Sequence, residues 1–124
     1  MRDRDIAVLK HILKYCKQVE ETLNDFSNDK NEFFNSHIFR NATSMAIFQI
    51  GELANHLTDE YQKETLNEMN WRQIVGMRNF FAHGYSKMDV EVIWDTAMNS
   101  IPNLKGFCVK EITRLETLED KEDN

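Results

Sequence analysis

Four side chains in one short stretch could do chemistry: Arg78, Asn79, His83 and Tyr85, within WRQIVGMRNFFAHGY at 71–85. Histidine gives or takes a proton near neutral pH. Arginine offers a planar, permanently charged fork that matches phosphate oxygens. The surrounding Trp71, Ile74, Val75, Met77, Phe80 and Phe81 predict a helix, started by Asn70 and stopped by Gly84. On an ideal helix Ile74, Met77 and Phe81 share one flank, while Asn79 and His83 share the other. Phe80 falls between them, Arg78 borders the apolar flank, and Tyr85 returns to its side. Polar groups beside a packed face cost free energy unless partnered. A structural role also fits each residue. His83 can cap the helix end, Arg78 can snorkel or pair with a carboxylate, and Tyr85 can be a rim tyrosine with a wet hydroxyl.

The elements that must position these residues are helical. The chain has 124 residues, 41% of them hydrophobic and 10% aromatic, with one proline and four glycines. That predicts one domain with a real core and disfavours a turn-rich all-β fold. Asp3 or Asp5 can cap a first helix whose stripe runs Ile6, Leu9, Leu13, Cys16, Val19, Leu23 and Phe26. Ser27–Asn31 is polar turn chemistry, and Glu32–Phe34 is an apolar clip. Asn35 or Ser36 can cap a second helix, with a stripe of Ile38/Phe39, Ala42, Met45/Ala46, Gln49, Leu53 and Leu57. Gly51 inside it predicts close approach of another helix, because glycine weakens a helix interior by up to ~1 kcal/mol against Ala. Beside it, Glu52 is either a solvated carboxylate or a partner for Arg78 or for a symmetry-related chain.

Thr58 caps a short helix reaching about Met69. After a Ser86–Met88 loop, Asp89 caps a helix carrying Val90, Ile93, Trp94, Ala97, Met98 and Ile101. Pro102 restarts or kinks the pattern, which continues through Leu104, Phe107, Cys108, Ile112, Leu115 and Leu118. The expected architecture is all-α: an antiparallel, up-and-down bundle of four main helices with short accessory ones, occupying 1–115. Residues 116–124 form an acidic, mobile tail.

No apolar run approaches the ~20 residues that cross a bilayer, and the charged N-terminus does not read as a secretory signal. A cytoplasmic location is expected. Cys16 and Cys108 sit at apolar-periodic positions and predict buried free thiols. Neither the cysteines nor His11, His37, His56 and His83 show metal-ligand spacing, so neither a metal nor a cofactor is expected. The net charge of −6 excludes a broad basic field for gripping nucleic acid. Any RNA contact must use a local cationic patch.

Arg78-Asn79, His83 and Tyr85 together form an R-N-x3-H-x-Y pattern, which resembles the signature of the HEPN superfamily, in particular its HepT-like branch. The Ile50-Gly51-Glu52 segment, Trp71-Arg72, Gly76-Met77 and Val92-Ile93-Trp94 also fall where that family has similar residues. The resemblance runs from about Ile6 to Leu104. It implies the HEPN bundle and metal-independent endoribonuclease activity in the cleft of a homodimer. Arg78 would stabilise the phosphate, His83 would be the acid/base, and Asn79 would orient either of them. The branch consists of RNase toxins restrained by a minimal nucleotidyltransferase antitoxin, which attaches AMP to the motif tyrosine; Tyr85 matches that position. A non-catalytic subunit that dimerises and binds such a partner is the other reading. Exposed Met and Phe side chains near 77–81 are candidates for the dimer seam.

Overall fold

A computed structural model describes residues 2–81 and 87–123. Helix α1 is Arg2–Asp25, α2 is Lys30–Asn35, α3 is His37–Ala54, α4 is Asp59–Glu64 and α5 is Trp71–Gly76. A 3₁₀ turn, Met77–Phe81, extends α5. Helix α6, Lys87–Asp95, runs through a π-helical turn, Thr96–Ser100, into α7, Ile101–Asp123. No strand occurs among the described residues, and the fold is all-α as expected. None of these helices is long and apolar enough to cross a membrane.

Helix α1 lies against α3 and α7. Its predicted stripe is the face that packs: Leu9, Cys16 and Val19, with Ile12 beside them, are fully buried and meet a core containing Phe39, Ile47 and Ile50 of α3 with Leu104 and Cys108 of α7. Both thiols are free and buried. Burial pushes the Cys16 thiol up to about 12, so it stays protonated and acts as a small hydrophobe. At one end of the core, Phe39 stacks on Phe26 at 4.4 Å and meets Phe33 edge-on at 4.9 Å. Ring pairs at these separations fix geometry as well as area.

Several boundaries differ from the expectation. Neither Asp3 nor Asp5 precedes α1, which begins at Arg2; both lie in its first turn. Asp5 instead accepts the Thr58 backbone N–H at 2.8 Å and the Thr58 hydroxyl at 2.7 Å. Thr58 caps α4 as expected, but that helix stops at Glu64. After α1, Ser27 and Asn28 take left-handed φ of 59° and 53°, and the Asn28 N–H returns to the Leu23 carbonyl at 2.8 Å. This six-to-one bond closes the helix end in the way a glycine usually permits. Asp29 then caps α2, so Lys30 and Asn31 are helical rather than turn. Asp89 is not a cap, because α6 has already begun at Lys87. Pro102 sits in the first turn of α7, just after the π-helical turn. Residues 116–123, set apart by charge, form the last turns of α7, where Glu116 pairs with Lys10 at 3.1 Å.

The largest correction concerns α3. Its buried face is Phe39, Thr43, Ser44, Ala46, Ile47, Ile50, Gly51 and Ala54. Ile38, Ala42 and Met45, assigned to the core by their apolar character, point outward, with Ile38 63% and Met45 52% exposed. Phe39, Ala46 and Leu57 of the expected stripe are buried; α3 is apolar on more than one side, and hydrophobicity alone did not separate Phe39 from Ile38 or Ala46 from Met45.

Candidate active site

The site is built on the contact between α3 and the α5/3₁₀ segment. A Cβ added at Gly51 would lie 2.8 Å from Arg78 Cγ, 3.0 Å from the Arg78 backbone N and 3.2 Å from the Ile74 carbonyl oxygen. Two of those neighbours are backbone and cannot swing aside, so glycine is required here by close approach. That is the reason expected from the sequence.

The single helix expected over 70–84 is instead α5 followed by the 3₁₀ turn. Asn70 caps α5 by accepting the Gln73 N–H at 3.1 Å, as expected. At the switch, Arg78 Nε donates to the Val75 carbonyl at 3.1 Å. In an α-helix that carbonyl would serve the N–H of residue 79. The tighter winding lets the backbone lie against Gly51, and it changes the angular step from about 100° to about 120°. Ile74 and Met77 nevertheless stay buried, and Asn79 stays exposed. The expected seam patch therefore loses Met77, which is 3% exposed.

The Arg78 guanidinium is held at its root by Val75 and leans toward Glu52, Nη1 to Oε1 at 3.5 Å. Both side chains are about two-fifths exposed. A pair this long and this wet contributes little stability. Its value is geometric: it aims a permanent cation at the surface with one weak counter-ion that an incoming phosphate can displace. Arg78 and Glu52, expected as possible partners, are thus brought together. Asn79, next in sequence to Arg78, is exposed. His83 and Tyr85, along with the Gly84 stop, lie outside the described residues. No group of three or more His, Cys, Asp or Glu among the described residues is placed to hold a metal ion.

Sequence reasoning missed the brace that holds the start of α5. The Trp71 indole N–H donates to the Thr65 hydroxyl at 2.8 Å, and Trp71 packs between Tyr61 and Phe107. The Tyr61 hydroxyl donates to Glu111 at 2.8 Å. Glu111, 1% exposed, also accepts two bonds from Arg114 at 2.8 and 2.9 Å. The Arg114 guanidinium, with help from Tyr61, holds the Glu111 carboxyl below its ordinary range despite burial. Burial and the same carboxylate push the Tyr61 hydroxyl up. One signal could have found this group: Glu111 stands in the apolar register of α7, between Cys108 and Leu115.

A sequence model of the ribonuclease HepT-like family matches residues 12–111, which includes α3, the 3₁₀ turn and the whole motif. The chain belongs to this family. The HepT-like resemblance read from the motif is thereby borne out, and endoribonuclease activity is the function that membership carries. Among relatives, a Methanocaldococcus jannaschii protein named as a candidate RNase is 31% identical over 106 residues, covering 85% of this chain and 94% of that one. A Caldanaerobacter subterraneus protein, also named as a candidate RNase, is 31% identical over 108 residues, covering 87% and 93%. A Thermococcus cleftensis protein named as a probable ribonuclease HepT is 34% identical over 82 residues, covering 66% and 67%. No solved structure matches the chain. In this HepT-like chain the Gly51-Glu52 segment and the Arg78 segment, both within the family match, lie in direct contact.

Proposed function

We propose that the protein is a metal-independent endoribonuclease toxin that works as a homodimer in the cytoplasm. The observation that carries this reading is the Arg78 guanidinium, rooted on the Val75 carbonyl and half open to solvent within the family's motif. RNA supplies its own nucleophile. A base removes the 2′-OH proton, the 2′-oxygen attacks phosphorus, and the bond to the 5′-oxygen breaks as that oxygen takes up a proton. A 2′,3′-cyclic phosphate and a 5′-hydroxyl result. His83 serves the proton transfers. Arg78 neutralises charge on the phosphate, and Asn79 orients the phosphate or the imidazole. One chain carries one Arg and one His on this element; a two-fold pair doubles the set across one cleft.

Support for pairing comes from α3. From Asn41 to Ala54, Glu52 is its only charged residue. An outer helix face in water normally carries several charges. This one offers Ile38, Ala42 and Met45, with Glu52 and then Arg78 at its border. A second copy of the same face covers it and brings the two motifs together.

In this reading a nucleotidyltransferase antitoxin restrains the toxin by attaching AMP to Tyr85. The bulky anion blocks RNA and competes for Arg78. The net charge of −6 favours a second reading, a dimerising subunit that binds such a partner without turnover.

The test is RNA cleavage by the purified protein in EDTA. Wild type is expected to cut, and Arg78→Ala and His83→Ala to lose cutting with helical content unchanged. Intact RNA of several classes with wild type would leave the non-catalytic reading. Tyr85→Phe is expected to keep cutting but to escape mass gain in AMP units when co-expressed with the partner.

A further inference from the structure

Beside the motif helix is a groove of about 260 Å³ between α4 and the start of α5, lined by Asp59, Gln62, Lys63, Leu66, Trp71 and Arg72. Its floor is the buried Trp71, and its rim carries Leu66, 63% exposed. Lys63 and Arg72 are both exposed, and neither has an ion pair among the described residues. Arg2, Lys10, Lys30, Lys105, Lys110 and Arg114 each hold a carboxylate; Lys63 and Arg72, like Arg4, Lys14, Lys17 and Lys121, hold none among the described residues, and these two line one groove. Helix α4 also sorts its charges. Glu60 and Glu64 line the separate groove toward Arg2 and Leu115, leaving Asp59 as the one acid on the motif side.

The outward side of α5 continues from this groove to the site. Arg72 and Asn79 are exposed and Gly76 lies between them. Among the described residues, a Cβ at Gly76 would meet nothing within 4 Å. Arg72 and Arg78 are six positions apart, about 9 Å along a helix axis, a span that a short run of nucleotides bridges.

We propose that this groove is a second phosphate-binding subsite, which holds the single-stranded flank of an RNA whose neighbouring phosphate sits on Arg78. Arg72 and Lys63 take the flanking phosphate, and Leu66 supplies an apolar surface for an unstacked base. The inference rests on the ribonuclease reading and adds where the strand runs. It also answers the acidic net charge: Lys63 and Arg72, with Asp59 as the one acid beside them, make a local cationic patch in place of a broad basic field.

The experiment measures binding of a fully 2′-O-methylated single-stranded RNA, which lacks the nucleophile, by fluorescence anisotropy across a salt series. Cleavage of the unmodified RNA is followed in parallel. Arg72→Ala and Lys63→Ala are expected each to weaken binding by about fivefold and to lower the salt slope by about 0.7. Cleavage is expected to suffer mainly in KM. Arg72→Lys is expected to keep the slope, and Lys121→Ala on distal α7 to bind as wild type. Wild-type affinity and slope in both alanine variants, with wild type still cutting, overturn the subsite and leave the nuclease reading standing. Binding that depends on Arg72 and Lys63 in a protein that cuts nothing supports the subsite and removes the nuclease.

Discussion

At the scale of single residues, the site depends on one absent methyl group. Gly51→Ala would set a Cβ 3.0 Å from the Arg78 N and 3.2 Å from the Ile74 oxygen. Helix propensity alone would favour Ala by up to ~1 kcal/mol, but the tight contacts are with backbone, and α5 must give way by a few tenths of an ångström. A net destabilisation of about 2 kcal/mol is expected, as in overpacked cores, with cleavage falling more than stability because Arg78 is displaced. Thermal melts and initial rates on the same preparation check both. Glu111 gives a second prediction. Its folded carboxyl lies below the ordinary value of 4.5, so its contribution is fully present above that value and is lost as pH falls through the lower folded one. Glu111→Gln should flatten the acid side of the stability curve below about pH 4.5. At neutral pH it should cost about 2 kcal/mol, less than a fully buried pair, because Arg114 is 39% exposed. Denaturant titrations at several pH values read out both effects.

At the scale of elements, the change from α5 to the 3₁₀ turn was not legible in the sequence. Apolar spacing through Trp71, Ile74 and Met77 fits either winding over so few residues. The tighter one is selected by contact with α3, which periodicity within one segment does not contain. The outer face of α3 was misread for a related reason. Ile38, Ala42 and Met45 are apolar, and a single sequence does not separate apolar residues that face the chain's own core from those that face outward. What was legible was local chemistry: the caps at Ser36, Thr58 and Asn70, the close approach at Gly51, and the pairing of Arg78 with Glu52. Gly76 tests the element directly. Nothing described stands within 4 Å of its would-be Cβ, so Gly76→Ala should leave stability unchanged or raise it by up to ~1 kcal/mol. If the strand runs along this side of α5 as proposed, the same methyl group stands in its way and RNA cleavage should fall. A variant that melts no lower and cuts less would separate the needs of the fold from those of the strand.

At the scale of the whole molecule, the question is what covers α3. Its outer face is set against water in one chain, yet it carries the composition of a packed surface, and Arg78 stands at its border. Under two-fold symmetry a residue near the axis faces its own copy. Met45, 52% exposed near the middle of the face, is the position to charge. In a single chain Met45→Glu is a surface substitution and should shift stability by no more than about 0.5 kcal/mol. In a pair it sets two carboxylates against each other in an apolar seam, where like charges cost several kcal/mol. Sedimentation at micromolar concentration should therefore find wild type as a dimer and Met45→Glu as a folded monomer, with RNA cleavage lost although Arg78 and His83 are intact. Val109→Glu, an equally exposed apolar position on α7, should remain dimeric and active. Loss of cleavage in the monomer with helical content retained would place the working centre between chains. A Met45→Glu protein that still pairs and still cuts would move the seam to another face.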